Sequence, residues 1–348
     1  MASRTARSLL LSSLLLPSLL LAACGGLDPA EFDDTARSEP APFTDDELYA
    51  DESEAEGETF STAESALCTS VCDAHTMIIG CDDRTKRNDS AETVAPYRYV
   101  GRFSSGCTGT LIGPNTVLTA AHCFYGSAFR AGPISFSLAR TGNAECWQPY
   151  GAQYVSSVTL PGEYGTENST VANKSWDYAV VKLNASPVGA QAMEYGFSEW
   201  TTLQSATSRS IGYPGSKSLG SMWDTGNKSF LGRWLNPTDN YLSGVLYVDN
   251  DGEGGQSGSP VFHSYLKAIS TPSGTVFTTA HKLTGVMIGS PVSECEAGRM
   301  WATRILPATV DRIETWTSDP DSTLYSRRFK SYTGSEIEPA VPAPTGCD

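Results

Sequence analysis

Three features are scarce in this 348-residue sequence, and each scarcity argues against a class of protein. No basic stripe runs along the chain, so nucleic-acid binding is not expected, because it requires Lys and Arg side chains that neutralise phosphates. The longest apolar run, residues 9–21, is shorter than a membrane-spanning helix requires. No helical period is sustained before residues 307–316, which argues against a helical bundle. Glycine is abundant at 32 residues, as is usual for turn-rich β proteins.

The net charge of −15 is concentrated near the N-terminus. Residues 25–76 contain 15 acidic side chains and a single basic one, whereas the remainder of the chain is close to neutral. The acidity of the whole chain therefore says nothing about a substrate. The segment also has few large apolar residues, so it cannot bury enough surface to offset its chain entropy. We expect residues 24–76 to be a disordered acidic tether or propeptide.

The first residues are typical of an export signal rather than of a folded domain. Arg4 and Arg7 precede the Leu-rich run, and Leu21-Ala22-Ala23-Cys24 resembles a bacterial lipobox. We predict that residues 1–23 are a lipoprotein signal peptide and that Cys24 carries the lipid. The protein would then be exported and held at the bacterial cell surface or outer membrane, or be released after processing. The alternative is an ordinary signal peptide with a chance cysteine.

Eight cysteines remain beyond Cys24, and an even number in an exported chain indicates disulfides. Cys68, Cys72, His75 and Cys81 form a cluster that lacks the paired spacing of a zinc module. We therefore predict disulfides there, and neither a metal nor another cofactor. If Cys81 pairs with Cys68 or Cys72, cleavage near residue 77 would leave the preceding segment tethered.

A serine between glycines is the strongest local signal for chemistry. In residues 255–260, the sequence Gly-Gln-Ser-Gly-Ser-Pro places Ser257 on a tight turn. Such a turn exposes the hydroxyl and lets amide groups converge. A serine hydroxyl needs a base to take its proton and donors to stabilise the oxyanion. We predict Ser257 as the nucleophile and the amides of Gly255 and Ser257 as the oxyanion hole, although such a turn alone also occurs as a plain connection between strands.

The candidate base and acid each adjoin an apolar strand. His122 follows the apolar residues 117–121, where a strand would fix its rotamer. A Cys107–Cys123 bridge would lock the loop that carries it. Asp177 directly precedes the apolar residues 178–181, where a buried carboxylate needs a partner such as an imidazole N–H. Taken alone, Asp177 is more typical of a solvated turn residue that precedes a strand.

The order His122, Asp177, Ser257 is that of the chymotrypsin-type triad. The sequence resembles chymotrypsin-like serine proteases of the bacterial glutamyl endopeptidase branch in residues 79–84, 106–123, 212–217 and 255–260. The resemblance implies an all-β fold of two antiparallel six-stranded β-barrels with the active site between them. It implies protein or peptide substrates and a propeptide before the first barrel.

We accordingly expect a first barrel in residues 77–200, a second barrel with a C-terminal helix in residues 201–316, and a polar tail in residues 317–348. In the expected helix, Val310, Ile313 and Trp316 share one face. A monomer is expected.

Substrate preference departs from the pattern of this branch. The histidine that receives the substrate carboxylate is replaced by Met287, and the small hydroxyl residue five positions before the nucleophile is Gly252. Asp251 lies where trypsin-like enzymes place the acid that attracts Arg or Lys, although the glutamyl branch often has Asp there too. Arg299 is the candidate cation for an acidic side chain. Specificity therefore stays open at this stage.

Two alternatives to an active endopeptidase follow from the same sequence. One is a catalytically inactive, protease-like surface protein that binds partners, and the other is an ester hydrolase on another fold. The complete set of three residues and the glycine turn argue against the first. The order of the three residues and the absence of a helical pattern argue against the second.

Overall fold

A computed structural model describes residues 70–73, 75–87, 94–125, 133–142, 148–165, 171–217, 220–234, 244–319 and 328–331. The predicted signal peptide, Cys24, residues 24–69 and most of the polar tail lie outside the described residues. Across the described ranges, no helix has the length and apolar character needed to cross a membrane.

Strands dominate the chain. Three short strands precede the first barrel: β1 (Val71–Cys72), β2 (Thr76–Ile78) and β3 (Thr85–Arg87). The first barrel contains β4 (Val100–Phe103), β5 (Thr108–Gly113), β6 (Thr116–Thr119), β7 (Ser135–Leu138), β8 (Gln153–Leu160) and β9 (Ala179–Leu183). The strands that follow are β10 (Glu194–Tyr195), β11 (Thr207–Gly212), β12 (Met222–Asp224), β13 (Lys228–Arg233), β14 (Val245–Val248), β15 (Gly252–Glu253), β16 (Pro260–Thr271), β17 (Gly274–Met287), β18 (Met300–Arg304) and β19 (Arg328–Ser331).

The first barrel closes because β8 pairs with both β7 and β9, which completes the ring β7-β4-β5-β6-β9-β8. All six strands pair antiparallel. Runs of Val, Leu and Thr fill its interior, and β6 is buried along its whole length. Such β-branched and apolar residues suit a pleated surface that is packed on its inner face.

The second barrel closes in the same way through β16, which pairs with β11 and β17 to complete the ring β11-β13-β14-β18-β17-β16. The predicted fold of two antiparallel six-stranded barrels is therefore confirmed. The outer halves of β16 and β17 extend beyond the barrel as an exposed hairpin.

Helices are few among the described residues, namely α1 (Val171–Lys174), α2 (Trp200–Ser205), α3 (Val292–Glu296) and α4 (Pro307–Ser318). The predicted C-terminal helix is α4, and it begins with Pro307, whose fixed φ suits a first helical turn. It buries Ile313 and Trp316, while Val310 is half-buried against the same core.

The end of the expected acidic tether departs from the disorder predicted for residues 24–76. β1 and β2 form a hairpin, and β2 pairs with β15 of the second barrel. Met77 is buried in a core cluster with Met287 and Met300. Strand pairing and burial of Met77 supply the contacts that the composition of the acidic segment did not reveal.

The polar tail contains one described element. β19 pairs with β8 at the outside of the first barrel. The main chain of residues 328–331 thus adds to a sheet edge, where pairing depends on backbone groups rather than on an apolar side-chain pattern. The exact boundaries proposed for the domains stay predictions.

Candidate active site

His122 and Asp177 meet because β6 and β9 are neighbours in the first barrel. Thr119 pairs with Ala179, so the residues just after β6 and just before β9 lie at the same edge. His122 belongs to the 3-10 turn Ala121–Phe124, which directly follows this edge. Its Nδ1 lies 2.9 Å from Asp177 Oδ2, and its backbone N–H donates to Asp177 Oδ1 at 2.9 Å. One carboxylate therefore fixes both the ring and the main chain of His122.

The charge state of Asp177 determines which ring nitrogen of His122 carries the proton. Its side chain is fully buried, and burial alone would raise its pKa. The attraction of His122 and the hydrogen bonds from it outweigh this effect, so the pKa of Asp177 is lowered below its ordinary value. An ionised carboxylate only accepts hydrogen bonds, so Nδ1 must donate. Nε2 of His122 is then left as the acceptor that a general base requires.

The main chain around Asp177 is held from the second barrel. Thr303 of β18 donates through Oγ1 to the carbonyl of Lys174 at 2.7 Å and to that of Asp177 at 3.2 Å. The ammonium group of Lys174 lies 3.9 Å from Asp177 Oδ2. Tyr178 stacks on Trp316 of α4, with ring centroids 6.1 Å apart. The acid is thus fixed by both barrels and by the C-terminal helix.

Ser257 lies on the turn between β15 and β16, and the first barrel holds this turn through Thr108. The amide of Thr108 donates to the carbonyl of Ser257 at 2.9 Å, and its Oγ1 donates to the carbonyl of Gly255 at 2.8 Å. The carbonyl of Ser257 also lies 3.9 Å from the sulfur of Cys123, the residue after His122. These contacts bring the loop of the serine against the loop of the histidine.

Gly258 permits this close approach. Its φ is +87°, and a Cβ there would collide with the Thr108 carbonyl and the Thr119 hydroxyl. Only glycine accepts that conformation and that spacing without strain. The glycine that follows the serine is therefore a packing requirement between the two barrels.

The two predicted oxyanion donors are free to bind. Carbonyls of Gly255 and Ser257 are engaged by Thr108, whereas their own amides have no acceptor among the described residues. Gly255 and Ser257 are half-buried, so their two unpaired N–H groups are accessible to an incoming oxyanion.

A buried arginine that the sequence reasoning passed over supports this turn. The guanidinium of Arg84 donates to Gln256 Oε1 at 2.6 Å and to Glu253 Oε2 at 2.9 Å. Its remaining partner is Asp82, at 2.8 Å. Glu253 also accepts from the amide and the hydroxyl of Ser216. In the sequence, the only indication of this supporting role was that Arg84 lies within residues 79–84, one of the segments that resemble the glutamyl endopeptidase branch.

A cavity of about 380 Å³ opens beside Ser257. Its walls come from the segment around β2, from α1, from the turn that carries Ser257, and from the ends of β17 and β18. They comprise His75, Met77, Lys174, Glu253, Gly254, Gln256, Ser257, Met287, Ile288, Gly289, Ser290, Pro291, Met300 and Trp301.

The four predicted pocket residues occupy different places. Met287 lines the cavity. Gly252 packs against the side chains of Met300 and Met287, which a Cβ at this position would meet. Asp251 is buried and does not line the cavity, and its Oδ1 accepts from the amide of Ile79 at 2.8 Å. Arg299 also does not line the cavity, and it pairs with Glu294 at 2.9 Å.

Two disulfides are described in full. Cys107 is bonded to Cys123, as predicted, and this bridge flanks both His122 and Ser257. Cys72 is bonded to Cys295 across 223 residues. Cys81 is also in a disulfide, and its partner lies outside the described residues. Since Cys72 is taken by Cys295, the option of a Cys72–Cys81 bridge was wrong.

The described residues offer one cluster of possible metal ligands, formed by Cys107, His122 and Cys123. Both sulfurs of this cluster are consumed by the disulfide. Metal ions bind thiolates rather than disulfide sulfurs, so His122 alone remains as a donor. The cluster does not fit a metal centre.

Two closed six-stranded antiparallel barrels are the architecture of the chymotrypsin-like serine proteases. Among solved structures, that of a Glu endopeptidase in complex with MPD matches with a TM-score of 0.50 and 23% identity, covering 70% of this chain and 100% of the other. The description "Trypsin-like peptidase domain" belongs to the family that matches residues 107–270.

Two curated relatives each match more than half of the chain. A glutamyl endopeptidase of Bacillus licheniformis is 31% identical over 245 residues, which is 69% of this chain and 68% of the relative. A Bacillus subtilis protein named extracellular metalloprotease is 32% identical over 227 residues, which is 60% of this chain and 66% of that relative. The chain belongs to the chymotrypsin-like serine protease family, in its glutamyl endopeptidase-like branch.

Proposed function

We propose that this protein is an exported serine endopeptidase in which Ser257 is the nucleophile, His122 the general base and Asp177 the residue that orients it. The observation that carries the proposal is the hydrogen bond between His122 Nδ1 and Asp177 Oδ2, at 2.9 Å. It leaves Nε2 as a base beside the serine turn that the first barrel holds through Thr108.

The proposed reaction follows from these positions. Ser257 Oγ attacks the peptide carbonyl carbon as its proton passes to His122 Nε2, and the carbonyl oxygen becomes an anion bound by the amides of Gly255 and Ser257. The C–N bond then breaks as His122 gives its proton to the leaving amine. Water attacks the resulting acyl-enzyme through the same base and releases the carboxylic acid and free Ser257.

Export is supported by the disulfides and by the relative that is named extracellular. Anchoring through a lipid on Cys24 and action as a monomer are part of the proposal. Metabolic labelling with a radioactive fatty acid in a bacterial host should label the wild type and not Cys24→Ser. Equal labelling of the two would contradict the anchor.

The proposal is tested by covalent labelling with a fluorophosphonate, together with hydrolysis of a casein substrate. Wild type should be labelled and active, whereas Ser257→Ala should lose the label and about 10⁴-fold or more in kcat. Ser259→Ala is the matched control, because this buried serine lies two residues away and should leave the label in place. A wild type with neither label nor hydrolysis would favour the inactive binding protein, and one that cleaves only esters would favour the ester hydrolase.

Because the Bacillus subtilis relative is named a metalloprotease, a further experiment tests whether hydrolysis requires a metal ion. Treatment with EDTA should leave the hydrolysis unchanged, because the one described donor cluster is closed by its disulfide. Loss of hydrolysis in EDTA, restored by Zn²⁺, would contradict a purely serine-dependent mechanism.

A further inference from the structure

A second cavity, of about 340 Å³, lies between residues 194–202 and the strands β16 and β17. It shares no lining residue with the cavity beside Ser257. On β17, Lys282 lines the second cavity and Met287 lines the first. A strand advances about 3.3 Å per residue, so the Cα atoms of these two residues lie about 17 Å apart. The second cavity is therefore a separate candidate binding site.

The floor of this cavity is polar and is built from buried side chains. Ser198 and His263 line it, although only 6% and 5% of their surfaces are exposed. Ser198 Oγ lies 3.0 Å from His263 Nε2. Burial and the charge of Lys282 lower the pKa of His263, so its ring is neutral at pH 7. The pair places a hydroxyl group, which can donate or accept a hydrogen bond, at the bottom of the cavity.

Two cations at this floor have no carboxylate within ion-pair distance among the described residues. Lys282 is half-buried in the wall and donates to the carbonyl of Phe197 at 2.7 Å. Arg304 does not line the cavity, but it is only 2% exposed and donates to the carbonyl of Ser198 at 2.7 Å. Burial lowers the pKa of Arg304 to about 10, and its Nε has no partner. Because buried charges normally have opposite partners, this side of the cavity favours an anionic group.

The two carboxylates at the mouth of the cavity are exposed and differ in their partners. Glu194 accepts hydrogen bonds from Tyr265 and Lys267, at 2.8 Å each. The side chain of Glu199 has no hydrogen-bond or ion-pair partner in the part of the chain that the structure describes, and it attracts Arg304 only from a distance. One unpaired negative charge therefore remains at the mouth, above the positive floor.

Aromatic rings lie between these charges. Phe197 and Tyr265 both line the cavity, and the guanidinium carbon of Arg304 lies 5.0 Å from the centroid of the Phe197 ring. A fitting ligand must carry an anion at one end, a cation at the other and an apolar part between them. A short peptide with free termini has this arrangement, and a peptidase releases such molecules when it cleaves a chain. The volume lies within the range of small-molecule sites.

We infer that the second cavity is a binding site for a short zwitterionic peptide, whose carboxylate is bound by Lys282 and Ser198 and whose ammonium group is bound by Glu199. The inference goes beyond the proposed function, because it assigns to this chain a binding site apart from Ser257. No step of peptide hydrolysis passes through this site.

The first experiment varies the ligand and leaves the cavity unchanged. Alanyl-phenylalanine is titrated by isothermal calorimetry into the full-length Ser257→Ala protein. A dissociation constant at or below about 1 mM is expected for a ligand of this size. The C-terminal amide of the peptide should bind about 10-fold more weakly, because a hydrogen-bonded charge is lost. The N-acetyl form should bind about 3-fold more weakly, because Glu199 is exposed and its ion pair is screened.

The second experiment varies the cavity with the same peptide. Lys282→Gln should raise the dissociation constant about 10-fold, whereas Lys282→Arg should retain the affinity because it keeps the cation. Glu199→Gln should raise the dissociation constant about 3-fold. Lys86→Gln and Glu296→Gln are the matched controls, since both side chains are exposed and lie outside the cavity. Both controls should bind the peptide as the parent does.

Each outcome decides the inference. Absence of saturable binding up to about 10 mM peptide, or equal affinity for the peptide and its amide, overturns it. Binding that Lys282→Gln leaves unchanged would place the peptide at another site, such as the cavity beside Ser257, and also overturns it. The titrations use a protein without the Ser257 hydroxyl, so their result is independent of the fluorophosphonate label that tests the proposed function.

Discussion

The catalytic side and the pocket side of this active site are built in different ways. His122 and Asp177 come from the edges of two paired strands within one barrel, and one carboxylate fixes both ring and main chain. The pocket side joins segments about 170 residues apart, through Arg84 to Glu253 and through Ile79 to Asp251. The chemistry thus depends on the register of one sheet, whereas the pocket depends on a segment that precedes both barrels.

Substitution of the acid is expected to have the largest effect. In Asp177→Asn, the amide oxygen can still accept from the His122 main chain, but the NH₂ group would donate to Nδ1. This reverses the tautomer, places the proton on Nε2 and removes the base. We expect a loss of about 10⁴-fold in kcat with little change in KM. Steady-state kinetics on a peptide substrate provide the measurement.

The exposed Asp311 on α4 offers a matched control for this change. Asp311→Asn should retain wild-type kinetics. If Asp177→Asn kept most of the activity at neutral pH while folding normally, the hydrogen bond to His122 would not be part of the mechanism.

The two disulfides allow the two sides of the site to be weakened separately. The loops that they close differ greatly in length, with separations of 223 residues for Cys72–Cys295 and 16 for Cys107–Cys123. Chain-entropy arguments give about 5 kcal/mol of unfolding free energy for the long loop and about 3 kcal/mol for the short one. Paired replacement of each bridge by Ala should lower the unfolding free energy in that order, as measured by denaturant titration followed by Trp fluorescence.

Kinetics should separate the same variants further. Loss of Cys72–Cys295 should raise KM for peptide substrates, because it loosens the β1–β2 hairpin whose residues line the cavity. Loss of Cys107–Cys123 should instead lower kcat, because this bridge flanks His122 and the carbonyl of Ser257. Equal effects of the two variants on KM and on kcat would contradict the division between a catalytic side and a pocket side.

The sequence pointed to the proposed catalytic residues because their signals are local. His122 and Asp177 each adjoin an apolar strand, and Ser257 stands on a glycine turn, so a window of a few residues reveals each of them. A buried Asp also demands a partner on energetic grounds, and the structure supplies one. The two barrels were expected from resemblance, since strand alternation alone allowed a sandwich equally well.

The pocket side could not be derived in the same way. Arg84 interacts with Glu253 across 169 residues, and no local pattern indicates that contact. Cys72 had several possible partners, and its bridge to Cys295 depends on tertiary packing. His75 follows an acidic segment whose composition predicts disorder, and only the pairing of β2 with β15 places it beside Ser257.

The smallest expected effect concerns Asp251, where the segment that follows β2 meets the second barrel. Its carboxyl group is fully buried, and one oxygen accepts from the amide of Ile79 at 2.8 Å. Burial raises its pKa from 3.8 to about 6, against the opposing effect of that hydrogen bond. The folded protein therefore holds this proton more tightly than the unfolded chain does. The contribution of the group to stability is lost as the pH rises from about 4 through about 6.

Asp251→Asn keeps an oxygen for the Ile79 amide and removes the titration. Its unfolding free energy should exceed that of the parent by up to about 3 kcal/mol at pH 7, and the difference should vanish below pH 4. Denaturant titrations at several pH values, on a Ser257→Ala background that prevents self-digestion, measure this difference, with Asp311→Asn as control. A variant that is less stable than its parent at pH 7 would mean that Asp251 is charged and has a cationic partner.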